Sequence, residues 1–169
     1  MENLVLIIGG NLGDRLLLIK KARNLLEKRL GKELIASSIF ETEAWGGSSL
    51  GYYLNQVLVY QTALEPMQVL ECIQEIENQL ERKREVKWGN RTMDIDILYF
   101  GKRTINSEKL ILPHPYLEKR KFVLEPLSQI LPDFIHPSLG KSHQELLRIC
   151  QDISEVKLYE KKARNIRAK

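Results

Sequence analysis

Cysteine is scarce: only Cys72 and Cys150 occur in 169 residues. Neither belongs to a C-x-x-C pair or stands beside a patterned histidine, so a disulfide framework is excluded. Both fall in helix-like stretches and read as small buried hydrophobes in a reducing compartment, so a cytoplasmic location is expected. No run of 18 apolar residues occurs, which leaves no candidate membrane-spanning helix. The opening MENLVLIIGG carries an acid where a secretory leader has basic residues, and Gly9 cuts its apolar stretch short, so no leader is expected. Repeats and low-complexity linkers are also missing, and the length suits one domain with a sizeable core. An excess of positive charge is missing from most of the chain as well. The net charge is +4, yet residues 157–169 hold six basic residues and one acid, so the other 156 residues sum to −1. Residues 1–156 are therefore expected to form the single domain, and 157–169 a basic, poorly ordered tail.

What is present is ordinary globular composition, 43% hydrophobic and 28% charged, with clear local patterns. Residues 3–8 form a short apolar run ended by Gly9-Gly10 and predict a buried strand. A helical pattern follows over residues 16–30, with Asp14 as its cap and Gly31 as its stop. Residues 33–42 and 53–62 are β-rich, separated by a Gly/Ser loop at 46–51. Pro66 suits the first turn of a second helix running to about Leu80. Residues 93–100 predict another strand, and Gly101-Lys102 the turn of a hairpin returning through Thr104-Ile105. The order β-α-β-β-α-β predicts an α+β, ferredoxin-like core, an antiparallel sheet with two helices on one face. C-terminal additions follow: Pro113-His114-Pro115, a helix near 122–131, and a last helix from a Ser142 cap to Cys150. His136 and His143 are read as surface or capping residues.

The densest chemical signal is Trp88-Gly89-Asn90-Arg91-Thr92-Met93-Asp94-Ile95-Asp96-Ile97. Residues two apart on a strand share a face, so Asp94 and Asp96 project together, about 7 Å apart along the chain, while Ile95 and Ile97 face the other layer. Two adjacent carboxylates repel unless a cation lies between them. Mg²⁺ commonly pairs one or two carboxylates with substrate phosphates, so the pair suits a phosphate-metal bracket; the same pattern also occurs on solvated strand faces. Arg82, Lys83, Arg84, Lys87 and Arg91 crowd the residues just upstream, and arginine forks fit phosphate oxygens. An exposed basic loop is the plainer reading, but it does not explain cations beside a carboxylate pair.

The segment 77–97, with Arg82-x-Arg84 and then Trp88-Gly89-x-Arg91-Thr92-x-Asp94-x-Asp96, resembles the signature of the 6-hydroxymethyl-7,8-dihydropterin pyrophosphokinase family. Further stretches match in order: Gly9-Gly10-Asn11-Leu12-Gly13-Asp14-Arg15, Ser38-Ile39-Phe40-Glu41-Thr42-Glu43, Tyr53-Leu54-Asn55, Leu112-Pro113-His114-Pro115 and Arg120-x-Phe122-Val123-Leu124. The resemblance spans residues 4–132. It implies transfer of a pyrophosphoryl group from ATP to the hydroxymethyl oxygen of the pterin, with attack on the β-phosphorus and loss of AMP, a step in making folate. It implies two Mg²⁺ ions held by Asp94 and Asp96, with Arg82 and Arg91 stabilising the transferring group. Arg84, His114 and Arg120 would contact phosphates, and Gln74, Glu77, Trp88, Ile97 and Lys109 would line the nucleotide site. Tyr53 and Phe122 would sandwich the pterin, Asn55 would hydrogen-bond it, and Thr42, Glu43, Ala44, Trp45 and Gly46 would read its edge. An aromatic pair does offer a flat heterocycle a stacking surface, and an Asn both donates and accepts.

Two rivals fit less well. Gly9 to Arg15 is Gly-rich after a strand but lacks the Gly-Lys-Ser/Thr ending of a P-loop, and is read as a tight turn. An RNA-binding ferredoxin-like module would carry the K/R-G-F/Y-G/A-F-V-x-F/Y strand, which is missing. The expected partners are small molecules, ATP and 6-hydroxymethyl-7,8-dihydropterin, with neither nucleic acid nor membrane; a monomer is expected. The charge-dense segment 82–91 is expected to be mobile when empty and to close over bound nucleotide. No dedicated general base is evident.

Overall fold

Leu4 to Gly10 of the first strand, β1 (Glu2–Gly10), are buried without alternation, as are Leu54 to Tyr60 of β4 (Tyr53–Thr62). Strands apolar on both faces must lie inside a sheet covered from both sides. The computed structural model, which describes residues 1–43, 51–80 and 92–159, shows that arrangement. The element order is β1, α1 (Arg15–Leu30), β2 (Lys32–Ala36), β3 (Phe40–Thr42), β4, α2 (Pro66–Gln79), β5 (Asp94–Phe100), β6 (Ile105–Asn106), β7 (Ile111–Leu112), α3 (Lys121–Ile130), α4 (His143–Ile149) and β8 (Val156–Leu158). The six-stranded sheet runs β5-β1-β4-β3-β8, with β2 also beside β4, and β1 is antiparallel to both of its neighbours. The fold is α+β, as the order of elements predicts.

The two faces carry separate cores. On one, Leu4, Leu6, Ile8, Leu54, Leu58, Tyr60, Ile95 and Ile97 meet Ile19, Ala22 and Leu26 of α1 and Val69, Ile73 and Ile76 of α2. On the other, Val5, Ile7, Val57, Val59, Leu98 and Tyr99 meet Val123, Leu124 and Leu127 of α3 and Leu146 of α4. The C-terminal additions thus form a third layer over the face that the ferredoxin-like core leaves bare. Each fully buried Leu or Ile contributes about 1.5–3 kcal/mol.

Local signals act as the sequence leads one to expect. Asp14 Oδ1 accepts from the Leu17 N–H at 3.1 Å and caps α1. Gly31 ends α1 with φ 128°, where an added Cβ would meet the Gln61 carbonyl oxygen at 2.3 Å. Pro66 opens α2, and Glu65 and Gln68 form its capping box. Ser142 and Glu145 form the capping box of α4.

Four expectations need correction. The β-rich segment 33–42 is two strands, because the Ser37 hydroxyl, rather than a strand carbonyl, takes the Val57 N–H at 2.9 Å. Thr104-Ile105 does not return along β5. Arg103 forms ion pairs with Glu2 and Glu65, drawing the chain off the sheet, and Ile105–Asn106 pairs with Ile111–Leu112 in a separate two-stranded sheet. Lys157 and Leu158 are not tail: with Val156 they pair with β3 at the sheet edge, where the strand's open hydrogen-bonding groups accept them. Residues 160–169 lie outside the described residues.

His143 is the fourth, a core residue and not a surface one. It is 0% exposed; Nδ1 donates to the Leu131 carbonyl at 2.7 Å and Nε2 accepts from the Tyr99 hydroxyl at 2.9 Å. Its ring stacks on Phe134 at 5.3 Å. His136 is also buried, although it does cap, its Nδ1 accepting the N–H groups of Ser138 and Leu139. Burial pushes His143 down to about 4 from its ordinary 6.5. Below pH 6.5 the unfolded chain therefore binds the proton that the folded chain refuses. Stability is full above pH 6.5 and falls as pH drops towards 4, by an order of a few kcal/mol. Thermal melts between pH 7.5 and 4.5 should show this decline, and His143→Gln should flatten it.

Candidate active site

The strand register brings the candidate residues together. Gly9 lies opposite Asn55 on one side and Asp94 on the other, and Ile7 lies opposite Asp96. Adjacent strands are about 4.8 Å apart, so Asn55 and Asp94 stand about 10 Å apart across a gap that Gly9 leaves without a side chain. The gap is the floor of a hollow walled by Thr42, Glu43, Tyr53, Asn55, Asp94, Asp96, Arg120 and Phe122. It occupies the sheet face that α3 and α4 cover further along. Their cover ends at Arg120 and Phe122, at the start of α3.

Polar contacts fix the walls. Asn55, only 6% exposed, donates from Nδ2 to the Thr42 hydroxyl at 2.9 Å. Its Oδ1 leans over Gly9, 2.3 Å from where a Cβ would stand. The amide thus presents an acceptor to whatever lies on the floor. Arg120 is buried, with its guanidinium 6.0 Å over the Phe122 ring and 5.8 Å over that of Tyr116.

A second hollow adjoins the first and shares Asp96. Ile97, Glu108, Lys109, Ile111, His114 and Pro115 line it, together with Leu70 and Ile95. The His114 Nδ1 donates to the Pro115 carbonyl at 2.6 Å, and its Nε2 lies 4.0 Å from Asp96 Oδ2. Burial, followed by the Arg120 charge, lowers the His114 pKa. A neutral ring that donates through Nδ1 presents Nε2 as an acceptor. An acceptor nitrogen facing a carboxylate oxygen at that distance suits a cation or a donor held between them.

The expected site residues therefore fall into four groups. Thr42, Glu43, Tyr53, Asn55, Asp94, Asp96, Arg120 and Phe122 meet in the first hollow, and Ile97, Lys109 and His114 line the second with Asp96. Ala44, Trp45, Gly46, Arg82, Arg84, Trp88 and Arg91 lie outside the described residues, as does the expected closure of 82–91. On α2, Gln74 is exposed and lines neither hollow, whereas Glu77 is 4% exposed with Oε1 accepting the Ile95 N–H at 2.9 Å. Glu77 thus holds β5, the strand carrying both aspartates, since a buried carboxylate needs a donor and Ile95 supplies one. Gly9, Ile7 and Glu108 were not foreseen. Gly9-Gly10 reads as a turn from its residue types, but it continues β1; only the register against Asn55 and Asp94 makes Gly9 the floor.

Residues 5–132 match the family model of 7,8-dihydro-6-hydroxymethylpterin-pyrophosphokinase (HPPK). The chain belongs to that family. Among its relatives, the 2-amino-4-hydroxy-6-hydroxymethyldihydropteridine pyrophosphokinase of Aquifex aeolicus (strain VF5) is 42% identical over 145 residues, covering 86% of this chain and 90% of that protein. The Bacillus subtilis (strain 168) protein of the same name is 42% identical over 132 residues, covering 77% of this chain and 79% of its own. The fold of the HPPK part of solved HPPK-DHPS chains is shared as well. One, crystallised in complex with substrates, superposes with a TM-score of 0.73 at 18% identity over 87% of this chain. Another, from Plasmodium falciparum, gives 0.72 at 19% identity over 88%. This chain spans 43% of each of those longer chains. The HPPK match ends just past α3, so α4 and β8 lie beyond it.

Gly9 gives a test of the floor. In Gly9→Ala the new Cβ meets Asn55 Oδ1 at 2.3 Å and the Leu54 carbonyl oxygen at 2.5 Å, closer than packed atoms allow. The strand carbonyl cannot swing away as a side chain can. The expected cost is about 1–3 kcal/mol, a fall of several degrees in Tm. The Asn55 side-chain amide signals in an NMR spectrum should move with it, and unmoved signals would show that the floor has room to spare.

Proposed function

We propose that the first hollow takes the pterin ring and the second the nucleotide, with the reacting atoms meeting beside Asp94 and Asp96. The chain is an ATP-dependent pyrophosphokinase of folate biosynthesis, carrying the pyrophosphoryl group of ATP to the hydroxymethyl oxygen of 6-hydroxymethyl-7,8-dihydropterin and releasing AMP. The observation that carries the placement is the shared edge: Asp96 lines both hollows. The first has two aromatic walls and an amide suited to a flat heterocycle. The second brings Lys109 and His114 beside the same carboxylate, which suits a polyphosphate.

Among the described residues no group of three or more His, Cys, Asp or Glu could hold a metal, so an all-protein metal cage is not on offer there. Two carboxylates on one strand face fit Mg²⁺ that takes its remaining ligands from phosphate oxygens. Asp94 and Asp96 would hold two such ions, which when bound neutralise the triphosphate and polarise the β-phosphorus.

The rest is work for the chain's own residues. The hydroxymethyl oxygen bonds the β-phosphorus as the bond from that phosphorus to the α,β-bridging oxygen breaks; AMP leaves with that oxygen, and the hydroxyl proton passes to water. Asn55, Tyr53 and Phe122 orient the pterin so that its hydroxymethyl group points towards the aspartates. Arg120, buried beside Phe122 and lining the same hollow as the carboxylates, offers fixed positive charge where negative charge develops. Arg82 and Arg91 stabilise the transferring group, and Arg84 and Trp88 hold the nucleotide with Ile97, Lys109 and His114. Ala44, Trp45 and Gly46 read the pterin edge beside Thr42 and Glu43. Catalysis on this reading is positioning plus charge stabilisation, with no dedicated base. The protein acts as a cytoplasmic monomer on small molecules; its unpaired cysteines suit a reducing compartment.

Mass spectrometry of products from ATP, Mg²⁺ and hydroxymethyl-dihydropterin tests the reaction. AMP and a pterin diphosphate are expected; ADP and a pterin monophosphate would place the attack on the γ-phosphorus and overturn the reading. Asp94→Ala and Asp96→Ala should fold yet lose at least about 100-fold in turnover at saturating Mg²⁺, since a lost metal ligand costs several kcal/mol of transition-state stabilisation. Asn55→Ala should raise the pterin Kd about tenfold, the worth of roughly one good hydrogen bond. Phe122→Ala should do the same through lost stacking, and in neither variant should ATP affinity change more than about twofold. Isothermal titration with each ligand, beside a thermal melt, separates this from general unfolding.

A further inference from the structure

Arg15 is the first residue of α1, at the positive end of the helix, where a cation is disfavoured unless something else holds it. Its side chain is held from outside the helix. The guanidinium Nη1 donates to Glu41 Oε2 at 2.9 Å and to the Tyr52 carbonyl oxygen at 3.0 Å. The same guanidinium lies 5.8 Å from the centroid of the Tyr159 ring. Tyr159 is anchored in turn, its N–H donating to the Ile39 carbonyl at 2.8 Å.

Each contact touches the pterin-side wall at one remove. Glu41 lies on β3 next to Thr42, whose hydroxyl fixes the Asn55 amide. Tyr52 immediately precedes Tyr53, the aromatic wall. Tyr159 directly follows β8, which pairs with β3 so that Lys157 lies opposite Glu41 and Val156 opposite Thr42. Four chain segments, namely the start of α1, β3, the lead into β4 and the C-terminal strand, therefore converge on one side chain. The last of them lies beyond the residues that match the family model.

We infer that Arg15 is a positioning residue for the pterin hollow: through Glu41, the Tyr52 carbonyl and Tyr159 it locks β3, the start of β4 and the C-terminal strand into one wall. The inference rests on the assignment of the first hollow to the pterin. The Arg15 and Glu41 side chains are 26% and 33% exposed, and so partly solvated an ion pair contributes little to global stability. The consequence of breaking it is therefore local, a loosened wall around Tyr53, Thr42 and Asn55 in a fold that stays intact. The nucleotide hollow has no part in the cluster and is left unaffected.

The test is equilibrium titration of the full chain with 6-hydroxymethylpterin, at saturating α,β-methylene-ATP and Mg²⁺, for Arg15→Met, Glu41→Gln and the double variant. Arg15→Met and Glu41→Gln should each raise the pterin Kd about five- to tenfold. The double variant should be no weaker than Arg15→Met, because both substitutions remove one interaction. Arg15→Lys, which keeps the charge but loses the fork, should fall between wild type and Arg15→Met. Tm and the affinity for the ATP analogue should stay near wild type, and in turnover KM for the pterin should rise while kcat holds. Wild-type pterin affinity in Arg15→Met overturns the inference. Parallel losses of Tm and of both affinities overturn it too, since they mark a general structural role. Failure of the pterin assignment itself would appear in the wild-type protein, whereas failure of this inference appears only in the variants.

Discussion

Two central strands buried on both faces impose the main constraint on this molecule. β1 and β4 bury seven consecutive residues each, so every position along them needs cover above and below. α1 and α2 cover one face along its length, while α3 and α4 cover the other only in part. Where that cover stops, the strands still run on, and an apolar sheet floor is left facing a hollow. The site is thus the unfinished end of a core. Its aromatic walls and buried amide suit a flat heterocycle with a polar edge.

The same constraint explains how two carboxylates come to stand beside an apolar floor. β5 is an outer strand of the sheet, with β1 on one side only. Its odd-numbered Ile95 and Ile97 go down into the core of α1 and α2, which turns Asp94 and Asp96 to the opposite face. The Ile95 N–H on the far side of β5 is satisfied by Glu77 from α2, a strand-like hydrogen bond made by a side chain. Holding the strand through a core carboxylate leaves its outer face clear for charge. Charge on that face then needs cations, and Arg120 supplies one in the described part of the site.

Much of this architecture was legible in the residues themselves, and the failures have physical causes. The span Tyr53–Thr62, the Asp14 and Ser142 caps and the shared face of Asp94 and Asp96 rest on local periodicity and local hydrogen bonding, which sequence carries directly. The return of Thr104-Ile105 failed because ion pairs from Arg103 to residues 2 and 65 decide the chain's direction, and no short window contains them. His143 does not show its burial in sequence, because a histidine can be wholly buried when a tyrosine hydroxyl and a carbonyl satisfy both nitrogens, and those partners stand 44 and 12 residues away. The residue type of Gly9 favours a turn, whereas its use depends on which residues the register places either side of it. Glu77, which the family resemblance sets at the nucleotide site, accepts the Ile95 N–H of β5 at its Oε1, a contact that no short window of sequence contains.

The C-terminal residues, past the end of the family match at residue 132, show how a late segment comes to brace the wall of the first hollow. β3 has only three residues and β4 on one side, so alone it is a short and weakly held edge. A short edge strand gains most from a neighbour, since each added backbone pair removes an open donor and acceptor. β8 supplies that neighbour, and Tyr159 extends it to Ile39 and to the Arg15 guanidinium. Gln129 of α3 adds a second brace, accepting the Ser38 N–H at 2.7 Å and donating to its hydroxyl at 2.8 Å just before β3. Thr42, at the end of that strand, fixes the Asn55 amide. The geometry of the amide over Gly9 is therefore set by contacts that reach from residue 15 to residue 159, and a loosened edge would be felt there before anywhere in the core.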